Sequence, residues 1–81
     1  MTGYSAHQIA NTALSILKLW KIVIDESVRL YPQDINKQIW HQVYMRQAYQ
    51  DALNAMIANK LITTFNVTVP SVTLPTGEIF K

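Results

Sequence analysis

The chain has 81 residues, of which 49% are hydrophobic and 15% charged, with a formal net charge of +2 and no cysteine. This length excludes a second domain, the missing cysteine excludes disulfides and thiolate metal sites, and the high apolar content argues against disorder. We therefore expect a single domain over residues 1–81 that is too small and too apolar to be well supported alone.

A capping pattern marks the start of the first helix. Ser5 and Gln8 have the spacing of a capping box, and Tyr4 and Ile9 are placed to form a hydrophobic staple across it. From Ser5 onward, no glycine or proline occurs before Pro32. Apolar residues recur at helical spacing at Ile9, Ala13, Ile16, Trp20, Val23 and Leu30. The pattern predicts one helix over residues 6–30, about 37 Å long.

A turn at residues 31–34 separates this helix from a second one. Pro32 disfavours the helical conformation for Tyr31, and Asp34 can cap the next N-terminus. Residues 35–60 contain no glycine or proline and many good helix formers, so we predict a helix there. The short connection favours antiparallel packing of the two helices.

Two rows of alanines suggest how the helices face each other. One row consists of Ala6, Ala10 and Ala13, and the other of Ala48, Ala52 and Ala55. In an antiparallel hairpin the rows lie at the same level, so we expect them to form the closely packed contact. The larger Trp20 and Met45 are then expected to meet nearer the turn.

The composition changes after the second helix. Residues 62–77 carry no charge, and nine of these sixteen residues are β-branched. Alternation around Phe65 and Val67 predicts a strand, which Pro70 makes an edge or a bend. Leu74–Gly77 matches a type I turn with a left-handed glycine, which would pair residues 72–74 with 78–80. The predicted fold is mainly α: an antiparallel two-helix hairpin followed by a C-terminal β-hairpin or extended β tail over residues 62–81. Whether this tail pairs within or between subunits stays open.

No segment has the character of a membrane span or signal peptide. The most apolar stretch, Ala13 to Ile24, holds nine apolar residues of twelve and includes Lys18 and Lys21. A span needs about 20 apolar residues, and Met1 to Ala13 lacks the basic start and small-residue cleavage site of a signal peptide.

With the alanine rows facing each other, the remaining helical side chains fall on two sides. The apolar side collects Ile9, Ile16, Leu19, Val23, Leu30, Trp40 and Tyr44, with Asp51 as its main charge. The other side collects Lys18, Lys21, Arg29, Arg46 and Lys60, together with Leu14, Leu53 and the single acid Asp25. Lys37 points nearer the contact between the helices. These five basic residues are candidate phosphate contacts, because many copies along a surface would sum their charge. A solvated surface without nucleic acid is an equally good interpretation of them.

The sequence contains no catalytic motif. There is no HExxH, GxSxG or phosphate-binding glycine loop, so we assign no catalytic, cofactor-binding or metal residues, and expect no enzyme and no cofactor. His7 and His41 lack acids at helical spacing and are interpreted as ordinary surface or interface histidines. Asp25 has the spacing of surface ion pairs with Lys21 and Arg29.

Two further features have both a functional and a structural interpretation. Trp40 and Tyr44 share a helical face and have the chemistry to stack on bases, but buried packing is the favoured interpretation. Asn66-Val67-Thr68 is a glycosylation sequon, which makes Asn66 a candidate modification site, although such triplets are frequent by chance.

These features together favour a subunit of a larger assembly. Two helices and a short hairpin bury little surface, and an uncharged β-rich tail tends to pair with other chains. We expect a homo-oligomer of many copies. The alternatives are a small helical adaptor or connector that forms a discrete oligomer without nucleic acid, and a small DNA-binding regulator.

An amphipathic hairpin of about 80 residues with one basic side, one apolar side and a Thr/Val-rich tail resembles the small coat proteins of rod-shaped and filamentous DNA viruses. It is most similar to the major virion protein of rod-shaped (bacilliform) archaeal viruses, through residues 6–30, 35–60 and 62–80. The resemblance implies a structural capsid protein that forms a helical shell around packaged double-stranded DNA. The basic side would face inward and the β tail would link neighbours outside, in a virion assembled in the host cytoplasm.

Overall fold

The computed structural model describes residues 5–81 and has two long helices followed by a small sheet. Helix α1 spans Ala6–Leu30 and helix α2 spans Ile35–Ala58. Strands β1, β2 and β3 span Thr64–Asn66, Ser71–Thr73 and Ile79–Phe80. The predicted class, a helical hairpin with C-terminal β structure, is confirmed. The predicted staple between Tyr4 and Ile9 lies outside the described residues.

The predicted N-terminal caps are both present. The Ser5 hydroxyl accepts the Gln8 amide at 3.1 Å, and the Gln8 side-chain oxygen accepts the Ser5 amide at 2.8 Å. The Asp34 carboxylate accepts the Lys37 amide at 3.1 Å at the start of α2. Each cap satisfies amides that the first helical turn leaves without a partner.

The second helix ends earlier than predicted. It stops at Ala58 rather than at residue 60, because Lys60 adopts a left-handed conformation with φ of 60°. The Lys60 amide donates to the Ile57 carbonyl at 3.0 Å and the Leu61 amide to the Met56 carbonyl at 2.9 Å. This pair of bonds is the Schellman motif, in which a glycine usually occupies the left-handed position.

The predicted contact between the alanine rows is wrong for α2. Ala10 and Ala13 are buried, but Ala48, Ala52 and Ala55 are exposed. The buried side of α2 instead carries Leu53, with the half-buried Tyr49, Met56 and Ile57 around it. Large apolar side chains lose more surface to the core than alanines do, so α2 is rotated to bury Leu53.

The predicted meeting of Trp20 and Met45 is also wrong. Trp20 packs against Phe65 of β1, with ring centroids 6.2 Å apart, and Met45 is 40% exposed. The sheet therefore supplies the partner that sequence reasoning had assigned to α2.

The three strands form one antiparallel sheet in the order β1-β2-β3. The predicted pairing of the last two strands is confirmed, with Val72 opposite Phe80, and Gly77 between them has φ of 93°. The first predicted strand is shorter than its alternating pattern, because residues 67–70 turn back and place Phe65 opposite Val72. The Asn66 side chain stabilises that turn by accepting the Val69 amide at 3.2 Å. The tail thus pairs within its own chain.

The sheet covers only one part of the hairpin. Buried side chains of the sheet and of the helix ends far from the turn form one core. This core consists of Ala10, Ala13, Leu14, Leu17, Trp20, Leu53, Ile62, Val72 and Leu74. We call residues 6–20 and 49–81 the covered half. Residues 21–48, which we call the turn half, contain only three buried residues, Val23, Ser27 and Gln38.

Candidate functional site

Three of the five candidate phosphate contacts lie together on α1. Lys18, Lys21 and Arg29 are exposed, and at 100° per residue they fall within an arc of about 80°. Asp25 is exposed inside the same arc. The structure therefore brings these three cations to one strip of the helix, with one acid among them.

The other two candidates are separated from this strip. Arg46 is exposed on α2 and borders a cleft of about 230 Å³ beside Val67 and Thr68 of the β1–β2 turn. Lys60 lies beyond the end of α2, next to Ile62 and Pro75. Its assignment to a helical face was therefore wrong.

The basic side is also not the continuous surface that helical projection predicted. Leu14 and Leu53, which that projection assigned to the same side, are buried in the core with Val72 of the sheet. The sheet therefore packs on the side of the hairpin to which the cations were assigned. A projection of the helices alone has no means to detect this, because it does not include the sheet.

The candidate cations are free of acidic partners in the part of the chain that the structure describes. The one ion pair within residues 5–81 joins His7 Nε2 to Glu78 Oε1 at 3.7 Å, and both side chains are largely exposed. The predicted pairs of Asp25 with Lys21 and Arg29 are not formed. Of the remaining acids, Asp34 caps α2 and Asp51 accepts bonds from the Gln47 amide at 3.3 and 3.4 Å.

The two histidines have separate structural contacts. His7 packs edge-on against Phe80 with ring centroids 5.0 Å apart, at the contact between α1 and β3. His41 Nδ1 lies 2.6 Å from the Ser27 hydroxyl, which joins the two helices near their turn. Within residues 5–81, no cluster of three His, Asp or Glu side chains is arranged to hold a metal ion.

Sequence reasoning missed two buried polar side chains in the turn half. The Gln38 amide donates to the Tyr31 carbonyl at 2.6 Å, and the Ser27 hydroxyl lies 2.9 Å from the Val23 carbonyl as well as beside His41. Nothing in the sequence specified that these two side chains would be buried or which groups they would contact.

The favoured interpretation of Trp40 and Tyr44 as buried side chains is wrong. Trp40 is 73% exposed and Tyr44 is 81% exposed. Both lie on the side of α2 that faces away from Leu53, and a shallow depression runs between them toward Ala48 and Asp51. Large aromatic side chains are usually buried, so this exposed pair makes the outer side of α2 a candidate interaction surface.

Exposed apolar side chains are concentrated in the turn half. Nine large hydrophobic residues there are at least 38% exposed: Ile22, Val28, Leu30, Ile35, Ile39, Trp40, Val43, Tyr44 and Met45. The predicted apolar side is thereby divided, since Val23 is buried and Ile9 and Ile16 pack against the core. We call the nine exposed residues the apolar surface.

Asn66 is exposed in β1, at the start of the turn that its own side chain stabilises. The sequon therefore stays a candidate modification site.

Comparisons with known proteins add no assignment. No protein-family model matches the sequence, and searches of curated proteins and of solved structures find no match either. Neither helix in the described residues is apolar over a sufficient length to cross a membrane.

Proposed function

We propose that the chain is a structural subunit that assembles with copies of itself and has no catalytic role. The observation that carries the proposal is the apolar surface, with nine large side chains exposed in a single half of an 81-residue chain. Exposed apolar residues that occur singly are ordinary on soluble monomers, whereas a concentration of them marks an interaction site.

The shape of the molecule supports an assembly through its helices. The chain is elongated, with extents of 48 × 20 × 17 Å, and the sheet covers one end. The apolar side chains of the strands are used inside the chain, since Val72 and Leu74 belong to the core. The turn half is bordered by this part of the chain only at the β1–β2 turn, beside Val67 and Thr68, so a neighbouring copy is the natural source of further cover.

A coat subunit on packaged double-stranded DNA is the specific role we propose for such an assembly. Lys18, Lys21, Arg29 and Arg46 are exposed without acidic partners, and Lys60 adds a fifth cation at the end of α2. A net charge of +2 per copy is small, but affinity for DNA depends on the sum over all phosphate contacts. In this proposal the virion is the site of the protein, and DNA is bound without sequence specificity.

Charge reversal tests the DNA part of the proposal. Purified protein should form DNA-containing filaments with linear double-stranded DNA at low salt, visible by electron microscopy. Lys18→Glu with Arg46→Glu should abolish DNA uptake while circular dichroism shows unchanged helix content, because both side chains are exposed.

The matched control keeps the charge at both positions. Lys18→Arg with Arg46→Lys should take up DNA like the parent chain, with the same steep loss on raising salt. Normal uptake by the double Glu variant, or loss of uptake in the charge-conserving variant, would contradict phosphate neutralisation by these residues.

A discrete oligomer without nucleic acid is the second candidate. It is favoured by the confinement of the apolar surface to one half of the chain, since a few copies that cover each other's turn halves would form a closed assembly. Light scattering separates the two candidates, because a closed oligomer keeps one mass as concentration rises and a coat subunit polymerises.

A further inference from the structure

We infer that the outward face of α2 is a two-fold interface at which two copies pack their α2 helices antiparallel. The inference deepens the proposed self-assembly by naming its partner surface. The face consists of Trp40, Tyr44, Gln47, Ala48, Asp51 and Ala55, which we call the α2 stripe. All six residues are exposed and lie opposite the buried side that carries Leu53.

The spacing of the stripe is symmetric about its centre. The successive steps between its six residues are four, three, one, three and four, and steps of three and four are typical of helix-to-helix seams. When the partner's stripe runs in the opposite direction, each residue i lies opposite residue 95 − i of the partner, and the two stripes coincide. Trp40 then meets the partner's Ala55, and Tyr44 meets the partner's Asp51. A two-fold axis produces this self-complementary arrangement.

Side-chain size follows the same symmetry. The N-terminal part of the stripe carries the large rings of Trp40 and Tyr44, and the C-terminal part carries Ala55 and, one turn further, the exposed Ala58. In an antiparallel pair, the Trp40 ring lies over the partner's Ala55, so the helices can approach there without a clash. A parallel pair would stack the rings on each other and leave the alanine ends apart.

Charge and hydrogen bonding agree with this register. Asp51 is the acid within the stripe, and its oxygens bond in the single chain only to Gln47 at 3.3 and 3.4 Å. The register places the Tyr44 hydroxyl of one copy where it can donate to the partner's Asp51 carboxylate. The pair then carries two equivalent hydrogen bonds to charged acceptors, which are stronger than neutral ones.

The exposed aromatic side chains supply a large share of the area that a stable dimer needs. Trp40 and Tyr44 are 73% and 81% exposed, so together they offer roughly 300 Å² per copy. Standard interfaces bury about 800 Å² per partner. Val43 and Met45 flank the stripe and are 38% and 40% exposed, so they add to this area along a stripe about 22 Å long.

Cysteine cross-linking tests the geometry directly, because the chain has no cysteine of its own. Residue 48 lies next to the proposed axis, where the two Cα atoms come within the 4.4–6.8 Å that a disulfide spans. Mild oxidation of Ala48→Cys should convert most of the protein to a covalent dimer. Asn11→Cys, exposed on α1 outside the stripe, is the matched control and should stay largely monomeric on a non-reducing gel.

A mixed pair fixes the direction of the helices. Lys37→Cys and Ala58→Cys sum to 95, and both positions are exposed. A mixture of the two chains should give the hetero-dimer, and neither chain alone should cross-link efficiently. Self-cross-linking of Lys37→Cys would instead indicate a parallel pair and overturn the inference.

Exchanging the large and the small side chain of one pair measures how much that pair contributes to the affinity of the dimer. Trp40→Ala and Ala55→Trp should each weaken dimerisation roughly 10- to 100-fold, as loss or obstruction of an aromatic anchor does. The double variant restores a large residue opposite a small one and should recover to within about tenfold of the parent chain. Circular dichroism checks that each variant keeps its helix content.

The outcomes separate this inference from the proposed function. If the parent chain assembles but Ala48→Cys cross-links no better than Asn11→Cys, the α2 stripe is not the interface and self-assembly stands. If the parent chain sediments as a monomer at every concentration, both proposals fail. Assembly only after addition of a different protein or of lipid vesicles would also overturn pairing with a second copy.

Discussion

The two halves of the hairpin use the same kind of helix in different ways. In the covered half, α1 and α2 share a dry core with the sheet, built around Leu17, Leu53 and Val72, each fully buried. In the turn half, the same two helices pack mainly on each other and meet the rest of the chain beside Val67 and Thr68 of the β1–β2 turn. Nine large apolar side chains there stay exposed. The difference shows that the sheet completes the core of one half and leaves large apolar side chains of the other half exposed.

The halves also differ in what holds the helices together. The covered half is stabilised by buried apolar area, but the turn half is joined by hydrogen bonds of Ser27 with His41 and of Gln38 with Tyr31. Hydrogen bonds contribute little net stability and fix a specific geometry, whereas apolar burial contributes more and is less specific. The turn half is therefore held in register without the large core that would make it stable alone.

The largest effect is expected from a pair of leucines two positions apart. Leu17 is fully buried and Leu19 is 48% exposed. Leu17→Ala should lower the free energy of unfolding by about 3 kcal/mol, because it leaves a cavity in the core. Leu19→Ala should lower it by less than about 0.5 kcal/mol. Urea unfolding followed by circular dichroism measures both changes. Equal losses of unfolding free energy would show that Leu17 is not part of the buried core.

Substitutions of two serines measure what the Ser27–His41 contact contributes to stability. The hydroxyls of Ser27 and Ser15 each bond to the carbonyl four residues before, at 2.9 Å, but only Ser27 also contacts His41. Ser27→Ala should be about 1 kcal/mol more destabilising than Ser15→Ala, because it leaves the half-buried His41 nitrogen without its partner. If the same urea titrations give indistinguishable midpoints, the Ser27–His41 contact contributes nothing.

Substitutions at two left-handed positions should change the stability in opposite directions. Lys60 and Gly77 have φ of 60° and 93°. Lys60→Gly should raise stability by about 1 kcal/mol, since glycine has no Cβ to strain in this conformation. Gly77→Ala should lower it by a similar amount through backbone strain alone, because a Cβ there meets nothing within 4 Å. Thermal unfolding at fixed protein concentration measures both, and shifts of equal sign would contradict the backbone conformations.

Local features of the fold were predictable from the sequence, because each depends on a few neighbouring residues. The Ser5 capping box, the Asp34 cap and the turn at Gly77 are of this kind. The end of α2 was missed because Lys60 occupies a position where glycine is the usual signal.

Features that depend on tertiary packing were not predictable in this way. The orientation of α2 was wrong because the sheet, which selects Leu53 over the alanines, is absent from a projection of two helices. The exposure of Trp40 and Tyr44 was missed for a related reason. Hydrophobic residues at helical spacing indicate a contact, but they do not tell whether that contact lies within the chain or with a neighbour.

In the proposed assembly, other copies of the chain cover the turn half. Sedimentation equilibrium of the full chain over a wide concentration range tests it most directly. We expect the measured mass to rise above the 9.3 kDa of one chain as concentration increases. Trp40→Ala should lower that mass toward the mass of one chain. A mass of one chain at every concentration would contradict it.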